Sequence, residues 1–138
     1  MHPFDFATPE IRMLWASALL GLVQLAIAFL FSIGVRGMPW ALGARDDPGA
    51  PVGKLGARVE RAYRNYLETF PIFATLVLIA NGMDRHTAMT VWGAQIFFYG
   101  RVLYVPLYAF GIPLARSLAF AAAMAGIVSI LLGIWPGA

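Results

Sequence analysis

RVERAYRNYLETFP, residues 58–71, places five charged side chains at the start of an otherwise apolar segment. In a helix, residues at i, i+4 and i+7 share a face, so this spacing aligns Arg61, Asn65 and Glu68. Hydrocarbon cannot solvate such groups, so in a bilayer this face must point into a protein interior or a water-filled cavity. The stretch is therefore the first candidate for a functional site.

The composition around this stretch is that of an integral membrane protein. Of the 138 residues, 60% are hydrophobic and 12% are charged, whereas about a quarter of the residues of a soluble domain are charged. A span needs roughly 20 apolar residues, so the chain accommodates four spans and almost no domain outside the membrane. The predicted fold is all-α, an integral membrane four-helix bundle forming a single domain over residues 1–138.

Two compositional features narrow the chemistry. The chain has no cysteine, so a disulfide framework, a thiolate nucleophile and a sulfur-ligated metal are excluded, and a reactive thiol must come from a ligand. The net charge is +3, but the basic residues are scattered among apolar segments and do not form a polar basic stripe. Nucleic-acid binding is therefore not expected.

Proline, glycine and capping residues predict where the helices begin and end. After a tail of residues 1–8, the sequence Thr8-Pro9-Glu10 reads as an N-cap, a proline at the first helical position and an acid in the first turn. Residues 36–56 hold three prolines and five glycines and are predicted to be the one long loop. The predicted spans are 9–35, 57–80, 87–110 and 116–135.

The loop also predicts the orientation of the chain. It carries Arg36, Arg45 and Lys54, and it leads into further arginines. The positive-inside rule then places it in the cytoplasm and both termini on the outer, periplasmic side. Pro71 lies in the middle of the second span and predicts a kink that separates its charged half from its apolar half.

The third predicted helix carries a second polar face. Arg101, Tyr104 and Tyr108 recur at i, i+3 and i+7 near its cytoplasmic end. One interpretation is an aromatic belt at the interface with a snorkelling arginine. The other is a site, because Arg101 lies well inside the apolar run and needs partners. A predicted tight turn at 111–115 follows.

Several polar residues have simpler structural interpretations. Gln24, near mid-span, is typical of an amide that makes an interhelical hydrogen bond. Asp46 and Asp47 precede Pro-Gly and are expected to form a turn, not to bind a metal. His86 is expected to be a solvated loop residue. Small residues on the fourth helix, which let another helix approach closely, are Ala119, Ala122, Ala123 and Gly126.

In this topology the polar ends of the helices meet at one membrane face, with a positive surplus suited to an anionic ligand. Arginine pairs bidentately with carboxylates and stays charged when partly desolvated. A positive environment also lowers the pKa of a ligand thiol, and a hydroxyl of Ser117, Tyr104 or Tyr108 can donate a hydrogen bond to that sulfur. The charged residues at this face are Arg36, Arg58, Arg61, Arg64, Arg101 and Arg116, with Glu60 and Glu68.

These residues resemble those of the membrane-associated proteins in eicosanoid and glutathione metabolism (MAPEG), over essentially the whole chain. The motifs that carry the resemblance are RAYRNYLETFP at 61–71, Gly100-Arg101 with Tyr104 and Tyr108, and Arg116-Ser117. The resemblance implies a bacterial member that forms a homotrimer, with glutathione sites between neighbouring subunits near the cytoplasmic face.

The resemblance also implies residue roles. Arg64, Asn65 and Glu68 match glutathione-binding positions, and Tyr108 matches a tyrosine that contacts the tripeptide. Tyr104 stands where prostaglandin E synthase-like members can have histidine. Arg36 could reach a neighbouring subunit's site, and Arg61 is placed among the binding residues. Positions tied to binding or to thiolate stabilisation in prostaglandin E synthase-like members are matched by Arg101, Arg116 and Ser117.

Two functions from different classes remain. The first is a glutathione-dependent transferase or peroxidase of the bacterial inner membrane acting on a lipophilic electrophile, with Arg101 or Arg116 stabilising the thiolate and Ser117 or Tyr108 assisting. The second is a non-catalytic trimeric module whose charged cluster joins subunits or binds an anionic lipid or partner. The second interpretation depends on ion pairs one helical turn apart, Glu60 with Arg64 and Arg64 with Glu68.

Overall fold

The computed structural model describes residues 8–137, so the predicted tail lies almost wholly outside the described residues. Within that range every regular element is a helix, which confirms the all-α prediction. The four long helices correspond to the four predicted ones, and a short fifth helix occupies part of the predicted loop. The helices are α1 Pro9–Arg36, α2 Met38–Leu42, α3 Gly53–Gly82, α4 Ala88–Ala109 and α5 Pro113–Gly133.

Two helix starts differ from the predicted ones by more than one residue. α3 begins four residues early, at Gly53, because Gly56 is buried against Val52 and Phe31 and continues the helix where a loop was expected. α5 begins at Pro113, a residue whose fixed φ suits the first helical position. Arg116 therefore lies inside the first turn of α5, and the predicted tight turn at 111–115 is shorter than expected.

The core lies where α1, α3, α4 and α5 meet. Phe73 of α3 and Phe97 of α4 are fully buried and stack with their ring centres 4.0 Å apart. The ring centre of Tyr66 lies 6.4 Å from that of Phe97. The Tyr66 hydroxyl donates a hydrogen bond to the backbone oxygen of Ser17 on α1. These contacts fix the face of α3 that turns inward, and with it the direction of the neighbouring Asn65.

α4 and α5 approach more closely than side chains would allow. A Cβ added to Gly93 would lie 2.6 Å from the backbone oxygen of Gly126, and a Cβ on Gly126 would lie 2.6 Å from the oxygen of Gly93. Gly100 makes a similar approach to Ala119 and Ala123. Of the small residues predicted on the fourth helix, Ala119, Ala123 and Gly126 pack against α4, whereas Ala122 is exposed.

Two helices, α1 and α5, are long and apolar enough to cross a membrane by length and composition. Their outward side chains include Leu22 and Leu30, which are 62% and 67% exposed. A soluble protein would leave a large apolar surface in water, whereas lipid covers it. The prediction that α3 and α4 also span the bilayer stays a prediction.

Gln24 does not make the predicted interhelical hydrogen bond. It is buried, and its Nε2 donates within α1 to the oxygen of Leu20 at a long distance of 3.5 Å. Its Oε1 is buried without a partner. The prediction is wrong because the nearby side chains of α3 and α4, Val59 and Val105, offer no hydrogen-bonding group.

A polar cluster joins the start of α1 to the start of α4. Glu10 is fully buried, and its Oε1 accepts a hydrogen bond from the Thr90 hydroxyl at 2.6 Å. Nδ1 of His86 lies 3.2 Å from the same oxygen, and its Nε2 lies 3.7 Å from Asp84. His86 is exposed in the loop before α4, as the sequence predicted, and its ring also contacts the buried carboxylate of α1.

Replacing Glu10 by alanine should destabilise the protein by about 1–3 kcal/mol, because the polar contacts that join α1 to Thr90 and His86 are lost. The measurement is the thermal unfolding midpoint of the detergent-purified protein. Asp46→Ala is the matched control, since Asp46 is an exposed acid in the loop between α2 and α3. An unfolding midpoint equal in Glu10→Ala and wild type would show that the cluster contributes nothing to stability.

Candidate functional site

Arg101 is the buried centre of the polar face predicted on the third helix. It is fully buried, and its Nη1 donates to Oδ1 of Asn65 on α3 at 2.8 Å. Its Nε and Nη2 are buried without hydrogen-bond partners. The belt interpretation is wrong for this residue, because a snorkelling arginine reaches water. The expectation that Arg101 needs protein partners is confirmed.

Aromatic rings surround the Arg101 guanidinium. The guanidinium carbon lies 4.4 Å from the ring centre of Tyr104, 5.3 Å from that of Tyr66 and 6.0 Å from that of Phe120. Such ring faces attract a cation and separate it from solvent. Arg101 therefore lies behind the site surface, and among the described residues Asn65 is its only hydrogen-bonded contact.

In front of Arg101 lies a polar cavity of about 250 Å³ between α3, α4 and α5. It brings together five side chains that the sequence singled out and one that it did not. The cavity opens to the surface, so a ligand can reach its polar lining. The residues that line it are Asn65, Tyr104, Tyr108, Arg116, Ser117 and Phe120.

Tyr108 is fixed at the mouth of this polar cavity by groups from two helices. Its hydroxyl accepts a hydrogen bond from Nε of Arg61 at 3.1 Å. The guanidinium carbon of Arg116 lies 4.6 Å from its ring centre, and the Tyr104 ring lies 5.5 Å away. Since two guanidinium groups adjoin one phenol, the mouth of the cavity is positively charged.

The Ser117 hydroxyl also lies in the lining, but it is engaged in its own helix. Its Oγ donates to the backbone oxygen of Pro113 at 2.9 Å. A serine in the first turns of a helix commonly bonds back in this way. Rotation about the Cα–Cβ bond frees the hydroxyl, so it can donate to a ligand.

Arg64 and Glu68 do not line the polar cavity. Both are exposed on α3, and Arg64 borders a separate cavity of about 360 Å³ with Glu60 and Ala28. Glu68 interacts with Arg101 only through space, without an ion pair. Of the predicted binding residues on α3, only Asn65 enters the polar cavity, and Arg61 reaches its mouth.

The predicted ion pairs one turn apart on α3 are wrong. In residues 8–137, neither Arg64 nor Glu68 forms an ion pair, and Glu60 instead lies 3.6 Å from Nη1 of Arg36 on α1. The reason is tertiary: the last turn of α1 lies opposite the start of α3 and presents a second cation to Glu60.

Arg36 is held by its own subunit and lies away from the polar cavity. Its Nε donates to the oxygen of Ala50 at 3.0 Å, and its Nη1 donates to Ser32 at 3.1 Å. Its guanidinium also stacks on Trp40, with 4.7 Å between the guanidinium carbon and the ring centre. Nearby, the Asp47 side chain accepts from the Gly49 amide, which confirms the predicted turn.

Phe120 and Tyr66 were missed by reasoning from the sequence. Phe120 follows Arg116 by four residues, so helical spacing alone places both on one face of α5. Tyr66 adjoins Asn65 in the charged stretch, but its contact with Arg101 depends on how α3 and α4 pack. Helical spacing could therefore have identified Phe120, whereas no signal in the sequence could have identified Tyr66.

The model of the MAPEG family matches residues 13–135, nearly the whole chain. No curated protein matches the chain.

Proposed function

This chain belongs to the MAPEG family, and we propose that it is a glutathione-dependent transferase or peroxidase acting on a lipophilic electrophile. The family is membrane-embedded and includes glutathione transferases and peroxidases as well as non-catalytic members. The observation that carries the proposal is the polar cavity, in which Asn65, Arg116 and Ser117 converge with two tyrosines. Its lining combines cationic, amide and hydroxyl groups.

The chemistry of glutathione fits this lining. The tripeptide has two carboxylates, one ammonium, two amides and a thiol. Arg116 and Arg61, beside Tyr108, supply the cations that pair with a carboxylate. Asn65, held by Arg101, supplies an amide for the peptide backbone of the ligand.

The thiol is activated by charge and by hydrogen bonding. The Arg116 guanidinium favours the thiolate over the thiol, because a nearby cation stabilises the charged form. The hydroxyl of Ser117 or Tyr108 donates a hydrogen bond to the sulfur. The thiol proton passes to solvent, and the resulting thiolate attacks the electrophilic atom of the second substrate. The bond to the leaving group breaks, and the leaving group departs with the bonding electron pair.

Arg101 takes a different role from Arg116 in this proposal. Its guanidinium is fully buried behind Tyr104 and Phe120, and it reaches the cavity through Asn65. We assign it as a positioning residue that orients the Asn65 amide. The sequence-based role in thiolate stabilisation then falls to Arg116, which lines the cavity.

Replacing Arg101 by methionine should raise the Kd for glutathione about tenfold or more, because Asn65 loses a charged hydrogen bond. At saturating glutathione, kcat should stay within about threefold of wild type. The reason is that the lost contact stabilises the bound ground state and the transition state equally. The measurement is kcat and Kd in nanodiscs. A fall in kcat with an unchanged Kd would give Arg101 a direct catalytic role.

The remaining predicted residues fit a site completed by a second subunit. Arg36, Arg64 and Glu68 lie outside the polar cavity of their own chain. In the proposed homotrimer, side chains on the outer face of α3 and at the end of α1 contribute to a neighbouring subunit's site. The proposed location is the bacterial inner membrane, with both termini periplasmic and the site near the cytoplasmic face.

The non-catalytic module stays the second candidate, but its original motivation is lost. It was motivated by a cluster in which Glu60, Arg64 and Glu68 satisfy one another, and those ion pairs are absent from residues 8–137. Arg64 and Glu68 are left with charges that a ligand or a neighbouring subunit can pair.

The test of this function is turnover in nanodiscs with glutathione and two electrophiles of equal reactivity, one lipophilic and one water-soluble. The enzyme should convert the lipophilic one faster, because that substrate concentrates in the bilayer. A matched preparation of Arg116→Gln controls for the uncatalysed reaction. Turnover of the lipophilic electrophile equal in the wild type and in protein-free nanodiscs would reject the enzymatic function.

A further inference from the structure

A second cavity, whose charged side chains are mainly basic, lies at the same end of the bundle as the polar cavity. It has a volume of about 610 Å³ and lies between the end of α1 and the start of α3. Four cations and one carboxylate line it, and that carboxylate, Glu60, already pairs with Arg36. Lys54 and Arg58 form no ion pair among the residues that the structure describes. The charged residues in its lining are Arg36, Lys54, Arg58, Glu60 and Arg61.

Beside it lies an apolar cavity of about 240 Å³ between α1, α3 and α4. Its lining is almost wholly hydrocarbon, and Gln24 is its one polar side chain in the described part of the chain. The residues that line it are Gln24, Ile27, Phe31, Leu55, Val59, Val105, Ala109 and Phe110.

Arg58 joins the two cavities. Its side chain lines the basic cavity, and its Nη1 lies 3.4 Å from the backbone oxygen of Ala109, a residue that lines the apolar one. A molecule whose charged group meets Arg58 can therefore extend a hydrocarbon chain into the apolar cavity. The start of α3 also follows the basic loop after α2, which is expected at the membrane surface.

We propose that these adjoining cavities bind an anionic phospholipid of the surrounding bilayer, with the phosphate at Lys54 and Arg58 and part of one acyl chain beside Val59. Charge complementarity selects the headgroup, because the basic cavity holds a surplus of cations. Basic residues next to a membrane-spanning segment attract anionic headgroups in this way. Arg36 and Arg61 of this lining are also predicted glutathione-binding residues, but the two proposed phosphate contacts, Lys54 and Arg58, are not.

The test is native mass spectrometry of the full chain with phosphatidylglycerol or phosphatidylcholine carrying the same acyl chains. Phosphatidylglycerol should be retained preferentially. The double variant Lys54→Gln, Arg58→Gln should lower its apparent affinity about 30-fold, the effect of two basic residues near an anionic headgroup. Arg45→Gln is the matched control, because Arg45 is an exposed cation of the loop before α3 and lines neither cavity.

Two variants test the acyl-chain position. Val59→Trp fills the apolar cavity and should lower retention of phosphatidylglycerol, with folding verified by the unfolding midpoint. Gln24→Leu removes the polar side chain of that cavity and should leave retention equal or higher, because an acyl chain offers no hydrogen-bonding group. Reduced retention in Gln24→Leu would show a polar occupant and overturn the proposal.

Three other results would also overturn it. Equal retention of the two lipids would remove the headgroup selectivity. An equal loss in Arg45→Gln would show a general effect of surface charge. Full retention in Val59→Trp would place the lipid outside the apolar cavity.

Discussion

Replacing Arg116 by glutamine is expected to lower kcat for glutathione-dependent turnover by about 100- to 1000-fold, the loss typical of removing one preorganised group that stabilises a developing charge. Arg116 is the cation that lines the polar cavity, and its guanidinium carbon lies 4.6 Å from the Tyr108 ring centre. Without it, the bound thiol loses the positive charge that favours its thiolate.

The measurement is kcat and Kd in nanodiscs, because the two report different losses. Removal of thiolate stabilisation lowers kcat, whereas removal of a carboxylate contact raises Kd. Arg12→Gln is the matched control, since Arg12 is an exposed arginine near the start of α1 and does not line the polar cavity. A variant with wild-type kcat and a weaker Kd would assign Arg116 to binding alone.

Replacing Gly126 by leucine is expected to cost about 3 kcal/mol or more, because the added atoms meet backbone and not a flexible side chain. A Cβ at this position would lie 2.6 Å from the Gly93 oxygen and 2.8 Å from the Phe97 nitrogen. α5 would have to move away from α4, and Arg116 and Ser117 would move with it.

The measurement is the thermal unfolding midpoint in detergent, together with the monodispersity of the purified protein. Ala122→Leu is the matched control, because Ala122 is exposed on the same helix. Gly126→Leu should unfold at a clearly lower temperature than the control. An unchanged midpoint would mean that α4 and α5 can separate at little cost.

The sequence predicted the site where local spacing determines it. Arg101, Tyr104 and Tyr108 share a helical face whatever the rest of the chain does, and Arg116 with Ser117 opens the next helix. Their convergence with Asn65 required only that neighbouring helices be antiparallel with short connections. The all-α fold was also predictable, because composition and the length of the apolar runs do not depend on how the helices pack.

The sequence could not predict which partner each charge takes. Glu60 has a cation one turn away, yet it pairs with Arg36, because the ends of α1 and α3 meet in space. Glu10 is typical of a first-turn acid, yet it is buried against Thr90. Such pairings depend on how helices distant in sequence pack, and helical periodicity carries no information about that.

The most direct measurement is a glutathione titration of the purified protein in nanodiscs, following heat and the thiolate ultraviolet absorbance together. We expect saturable binding with a thiolate signal, and we expect Arg116→Gln to lose that signal while Arg12→Gln retains it. No binding at millimolar glutathione, or binding without a thiolate signal in the wild type, would contradict the proposal that this chain activates glutathione.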